Sequence, residues 1–471
     1  MLKKNDILKG IVSALGSNGE GIIKYGDYTV FVPYVLPEEE IEYKVLKVAK
    51  NCVYGKVLNV IKPSKDRIDA PCSVFGKCGG CQLQHLEYKK QLKVKEENVK
   101  RCFSKIAGID VEINKTVTGE SPFRYRNKLQ LPISFNGKET VIGFYAENSH
   151  RVVPICDCLI NSSWTAKLIS AITLYIKEFN LKGYSDFDSS GYIREVTAKE
   201  LNGNLIICLV LTTKKLVGKD RLIEILTEKL GLEFTLYINV NSKPTNVVYG
   251  EEFILVHGKA EYTGEMFGIK YKMGVRSFMQ VNPSVCKKLY GAVCDNASLS
   301  EDVTVIDAYS GAGLMTALLA SKAKKAIGIE IIPEAVEIAN QLALDNGLSN
   351  KTTNYQGKCE VIMPDIIAKE RQQNANVTVV LDPPRKGCDY AVIKAVKDSL
   401  ADKVIYVSCN PSTLARDVGL LTGALKYEGN QIVRANDYTP LYEINSVTPY
   451  DMFAQTKHVE TLVVLSRVLN R

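Results

Sequence analysis

The run Val303-Thr304-Val305-Ile306-Asp307-Ala308-Tyr309-Ser310-Gly311-Ala312-Gly313 decides the fold. Its β-branched residues lead to an acid, a glycine turn follows, and residues 314–321 then carry apolar residues at helical spacing. A strand that feeds a helix through a glycine turn forms the entry to a nucleotide site, because the turn lets a ligand approach the backbone where the helix starts. Thr316 stands where the third glycine of a dinucleotide-binding turn would be, which argues against a pyrophosphate. The next strand, Ala326-Ile327-Gly328-Ile329-Glu330, ends on a carboxylate that suits both hydroxyls of a ribose. Turn and acid together predict a bound adenosine that carries no phosphate.

Further out, Val377-Thr378-Val379-Val380-Leu381-Asp382 and Lys403-Val404-Ile405-Tyr406-Val407 are also apolar strands that end in polar motifs. Such strands alternating with helices predict a doubly wound parallel sheet over 264–471, an α/β architecture whose ligands lie at the carboxyl ends of the strands. The motifs at those ends are Asp382-Pro383-Pro384-Arg385 and Ser408-Cys409-Asn410-Pro411. An Asp-Pro-Pro turn followed by an aromatic residue suits methylation of an exocyclic amine, and Arg385 in that place disfavours such chemistry. Cys409 falls between a strand and a helix expected to begin near Pro411, where a helix N-terminus favours the thiolate.

Five motifs occur in order: Arg276-Ser277-Phe278-Met279-Gln280-Val281-Asn282-Pro283, the 307–313 turn, DPPRKG at 382–387, VSCNPSTLARD at 407–417 and MFAQTKHVE at 452–460. Together they resemble the RNA uracil-5-methyltransferase family over essentially the whole chain. The resemblance implies S-adenosylmethionine as methyl donor, contacted by Gln280, Tyr309, Glu330 and Asp382, with Glu460 as general base. Ser310 and Ala454 depart from the family, which often has cysteine and usually proline at these places. The chemistry is consistent with this. Carbon 5 of uracil is a poor nucleophile until a thiolate, here Cys409, adds to carbon 6 and makes the ring an enolate. A base must then take the proton from carbon 5 so that the thiol can leave.

Residues 1–60 read as short strands separated by glycine and proline turns, a small β-barrel. Gly16, Gly19 and Gly21 ahead of FVPYVLPEEE resemble the RNA-binding TRAM domain. Residues 61–263 mix helices and strands, an α+β central domain. It begins with Cys72-x5-Cys78-x2-Cys81, a metal-ligand spacing whose Gly79 and Gly80 allow a tight fold around the sulfurs. The fourth ligand is Cys156 or Cys158 by position, and the family resemblance selects Cys158. Four thiolates suit zinc or a [4Fe–4S] cluster equally. Resemblance to the cluster-bearing branch points to iron–sulfur.

Net charge is +8, and residues 86–130 hold eleven Lys or Arg against six Asp or Glu. A solvated helix face and an RNA contact explain this excess equally well. Aromatic and basic groups in Phe123-Arg124-Tyr125-Arg126-Asn127-Lys128 are candidates for stacking on bases and holding phosphates. The chain has no long apolar run, a polar N-terminus and thirteen cysteines, which predicts a cytoplasmic monomer without membrane spans or a disulfide scaffold. The barrel and cysteine cluster favour 23S ribosomal RNA as substrate, because transfer-RNA members generally lack both. Transfer RNA, or a non-catalytic RNA-binding iron–sulfur protein, is the alternative.

Overall fold

The computed structural model describes residues 2–373 and 376–468. Its catalytic sheet consists of β1 (Val303–Ala308), β2 (Lys325–Glu330), β3 (Thr352–Gln356), β4 (Asn376–Leu381), β5 (Lys403–Ser408), β6 (Tyr442–Tyr450) and β7 (Glu460–Arg467). The spatial order is β3-β2-β1-β4-β5-β7-β6. Strands β1 to β5 are parallel, and β7 runs antiparallel to both of its neighbours. Helices cover both faces, which is why β1, β4 and β5 are apolar along nearly their whole length. One face packs on the helices Cys359–Gln372, Tyr390–Ser399 and Pro411–Thr422, the other on Pro283–Asn296 and Leu314–Ala320. Strand order reverses at β1, which lies between β2 and β4, the place where sheets of this kind bind ligands at the carboxyl ends of their strands. This is the doubly wound fold expected from the 303–313 run.

The N-terminal strands, from Ile7–Ile11 to Cys52–Lys62, form one six-stranded sheet around a core that includes Val30, Ile41 and Tyr43. The central region holds a seven-stranded sheet, mostly antiparallel, with helices Trp164–Glu178 and Lys219–Leu230 against one face. A hairpin, Tyr262–Met266 with Ile269–Met273, leads from it toward the catalytic sheet.

The basic segment is more deeply buried than its charge suggested. Helix Tyr88–Cys102 packs Val99 and Cys102 into the catalytic core, and Lys95 is 2% exposed. The Lys95 ammonium pairs with Asp451 and donates to the Phe453 carbonyl at 3.1 Å. Part of the local excess of lysine is therefore internal.

Candidate active site

Strand register creates the site. Antiparallel pairing sets Ser408 opposite Thr461 and Tyr450 opposite Glu460, so Cys409, one step beyond β5, lies beside Glu460 at the start of β7. Asp382 leaves the end of the adjacent β4, and Arg385 follows it. Asn410 caps the Pro411–Thr422 helix by accepting from the Ser412 amide, and its own side-chain amide donates to the Arg385 carbonyl at 3.0 Å. The Thr413 hydroxyl donates to the same carbonyl. The helix start thus fixes the loop that carries Arg385 next to the thiol.

The electrostatics are those of a crowded, buried group of acids. Burial, followed by the charge of Asp382, raises Glu460 well above the carboxylate range, while Arg385 opposes the shift. Burial raises Asp382 to about 7. Asp307 also reaches about 7, through burial with Asp382 and Glu330 adding to it, although the Thr316 hydroxyl donates to its carboxylate at 2.6 Å. Burial raises the Cys409 thiol too, and the negative Glu460 raises it further. The Arg385 guanidinium, by charge and hydrogen bond, pulls it back. A helix start was expected to lower this thiol, and the structure corrects that: desolvation and neighbouring acids win. Pro411 also supplies no N–H at the first helical position.

The residues expected to contact the donor are held in place by their own loops. Glu330 accepts from the amides of Gly311 (3.0 Å) and Ile332 (2.9 Å), tying the end of β2 to the glycine turn. Each carboxylate oxygen keeps a further lone pair for a ribose hydroxyl. Tyr309 opens the turn at φ +66°, a conformation that costs a non-glycine residue about 1–3 kcal/mol. At Gly313 a Cβ would meet Ala339 at 2.5 Å, so close helix packing requires glycine there. Gln280 is half-buried in a loop held by the central sheet. The Lys199 ammonium donates to Val275 O (2.7 Å) and Ser277 O (2.5 Å), and the Asn127 amide donates to Val281 O at 3.1 Å.

Sequence reasoning missed two of these groups. Arg385 had been used only to argue against amine chemistry, yet it is the cation that faces both Cys409 and Glu460. Lys199 gave no signal beyond alternation in a strand. The 123–128 stretch, a candidate for RNA contact, is partly committed within the protein. Arg124 pairs with Asp157 at 2.6 Å, and the Tyr125 hydroxyl donates to Ala454 O at 3.0 Å. His458 is pushed down to about 4, mainly by burial, and packs edge-on against Phe453, as a structural histidine does.

Cys72, Cys78, Cys81 and Cys158 lie within electrostatic reach of one another. Burial pushes Cys81 up to about 12, and Cys158, Cys78 and Cys72 all add to it. Cys156 is exposed to solvent. The Gly80 amide donates to Cys78 Sγ at 3.3 Å, and the Ile160 and Asn161 amides face the Cys158 sulfur. Gly79 is packed so closely that a Cβ would meet the Glu147 backbone at 3.1 Å. Among the described residues, no three His, Cys, Asp or Glu side chains are gathered into a site for a metal ion. The cysteine segment also supports the catalytic loop: the amides of Gln82 and Leu83 donate to Gln455 O at 3.2 and 3.1 Å. Gln455 itself has φ +68°.

Residues 87–468 match the tRNA (uracil-5-)-methyltransferase family. An uncharacterized RNA methyltransferase of Clostridium tetani is 38% identical, covering 99% of this chain and 97% of that protein. One from Clostridium acetobutylicum is also 38% identical, covering 99% and 98%. The fold is shared with the tRNA (uracil-54, C5)-methyltransferase of Pyrococcus abyssi, solved with S-adenosyl-L-homocysteine: the TM-score is 0.74 at 23% identity, over 97% of this chain and 100% of that one. Among the described residues no helix is long and apolar enough to cross a membrane. The chain belongs to the S-adenosylmethionine-dependent RNA (uracil-5-)-methyltransferases.

Proposed function

We propose that this enzyme methylates carbon 5 of a uracil in 23S ribosomal RNA through a covalent adduct of Cys409, acting in the cytoplasm as a monomer. The observation that carries the reading is the register that seats Cys409 beside Glu460, with Arg385 facing both. The Cys409 thiolate adds to carbon 6 of a uracil swung out of its stack, and the ring becomes an enolate nucleophilic at carbon 5. S-adenosylmethionine supplies the methyl group, which carbon 5 takes with release of S-adenosylhomocysteine. Glu460, as carboxylate, removes the carbon-5 proton, the ring double bond re-forms and the Cys409 sulfur leaves as thiolate. Arg385 offsets the negative charge of whichever group is ionised. Gln280, Tyr309, Glu330 and Asp382 hold the donor, with Glu330 on the ribose.

Cys72, Cys78, Cys81 and Cys158 would hold a [4Fe–4S] cluster. The support is an all-thiol donor set with backbone amides aimed at two of its sulfurs. Protein purified without oxygen should be brown and absorb near ~400 nm. The colour should vanish in Cys81→Ser, whereas colourless protein with stoichiometric zinc would remove the cluster from the reading.

Ribosomal RNA is favoured by resemblance to the cluster-bearing branch. Transfer RNA is the second reading, because the Pyrococcus protein named for tRNA shares the whole architecture. Mapping 5-methyluridine after gene deletion separates the two. Loss at one or two 23S positions is expected, and loss from transfer RNA alone would overturn the ribosomal assignment.

A further inference from the structure

The central sheet has one face under its helices, and the other is covered in part by the 262–273 hairpin, which packs on Leu201, Ile206, Cys208 and Tyr237. Strand Ile193–Leu201 has a bulge at Arg194, where the pairing with Asn204–Leu211 shifts register. Ile193, Val196 and Ala198 enter the helix-covered core. The extra residue switches parity, so Glu195, Thr197 and Lys199 share the face opposite the helices with Pro132, Gln130 and Lys128, their partners on the next strand. Lys199 grips the donor-side loop at Val275 and Ser277. Glu195 lies four residues away, about 13 Å along the same strand.

A cavity of about 310 Å³ opens at Glu195, lined also by Gln130, Ser134, Tyr145, Tyr184 and Asn246. This is the lower end of the size range of ligand sites. Glu195 Oε2 is buried without a hydrogen-bond partner, and such atoms are scarce in folded proteins. Burial raises the Glu195 carboxyl to about 7, against the opposing effects of Gln130 and Arg194. Arg194, the guanidinium in the wall, stacks on Tyr184 at 4.1 Å and donates to the carbonyls of Asn241, Lys243 and Thr245. With that cation committed, the cavity suits a flat, neutral, hydrogen-bonding group better than a phosphate.

We propose that this cavity receives a second unstacked base of the RNA substrate, pairing its edge with the Glu195 carboxyl and laying its face on Tyr145. A neutral carboxyl presents one donor beside one acceptor, the complement of a base edge. The RNA is then read at two points, the target uracil beyond the Lys199 loop and this neighbour at Glu195. The inference rests on RNA being the substrate and is indifferent to which RNA.

The test uses the full-length protein and unmodified ribosomal and transfer RNA from the deletion strain, measuring RNA affinity by gel shift, KM, kcat and S-adenosylhomocysteine binding. Glu195→Ala should weaken RNA binding and raise KM by about fivefold to tenfold, the value of one hydrogen bond. The loss should fall on KM and not on kcat, and Glu195→Gln, which keeps a donor and an acceptor, should rescue most of it. Tyr145→Leu, at a side chain 41% exposed and so tolerant of change, should weaken binding by a similar factor and carries the test if Glu195→Ala melts early. RNA binding equal to wild type in both variants, or a loss confined to kcat, overturns the proposal. If wild-type protein methylates neither RNA, it is the methyl-transfer reading that fails, and the gel-shift comparison still decides the base pocket.

Discussion

Asp451 and Glu460 stand at the two ends of one loop, are both buried, and are treated in opposite ways. Asp451 receives the Lys95 ammonium on one oxygen and the Tyr88 hydroxyl, at 2.7 Å, on the other. Glu460, 4% exposed, has Asp382 as a like-charged neighbour and Arg385 as its opposing cation. A fully paired buried acid holds two parts of the chain together. An under-compensated one keeps a high proton affinity and can exchange that proton during a reaction. The two ends of the loop therefore carry an architectural charge and, in the proposed reaction, a reactive one, separated by how completely each is paired.

Removing the nucleophile breaks the reactive side most severely. Cys409→Ala should abolish methyl transfer while S-adenosylhomocysteine binding, measured by calorimetry, stays within a few-fold, because the thiol acts on the base. Substantial residual turnover would refute the covalent route. Glu460→Gln should cost about 10²–10⁴ in rate and leave a protein–RNA adduct on a denaturing gel, since addition and methylation precede proton removal. Absence of the adduct would assign the base elsewhere. On the architectural side, Asp451→Ala should cost about 3–5 kcal/mol by stranding buried Lys95, read as a loss in denaturant midpoint. Pairing it with Lys95→Met should restore much of that loss, and a double variant no better than the single would show that the ion pair is not what holds the loop.

This contrast also marks what the sequence made legible. Strands β1, β2, β4 and β5 were readable because a doubly covered strand is apolar at nearly every position, and Cys409 was readable as the residue that follows one of them. Glu460 carries no such local mark. It begins an antiparallel strand, and only the Ser408–Thr461 register brings it to the thiol. Lys95 looked like part of a solvated or RNA-facing surface because its partner lies 356 residues away. The raised thiol was illegible for the same reason: helix position is local, whereas burial and the charges of Glu460 and Asp382 are tertiary. The ground for preferring ribosomal RNA, that transfer-RNA enzymes generally lack the N-terminal barrel, weakens once a tRNA-named protein matches 97% of the chain.

The finest test addresses Arg385, the cation that makes the reactive pair workable. Cys409 and Glu460 both have raised proton affinities, and in the proposed mechanism both act in the deprotonated form. The rate should accordingly fall as pH drops and rise with pH through a range well above that of an ordinary carboxylate. Arg385 lowers both groups, so Arg385→Gln should move the rising limb of kcat/KM to higher pH by about one unit. The variant would then be about tenfold slow on the limb and recover part of the loss at alkaline pH. Its loop should keep its shape, because Asn410 and Thr413 hold the backbone carbonyl of residue 385 and not its side chain. A uniform drop at every pH would mean that Arg385 positions the RNA and does not tune the acids, and an unchanged profile would leave Cys409 and Glu460 to balance each other without it.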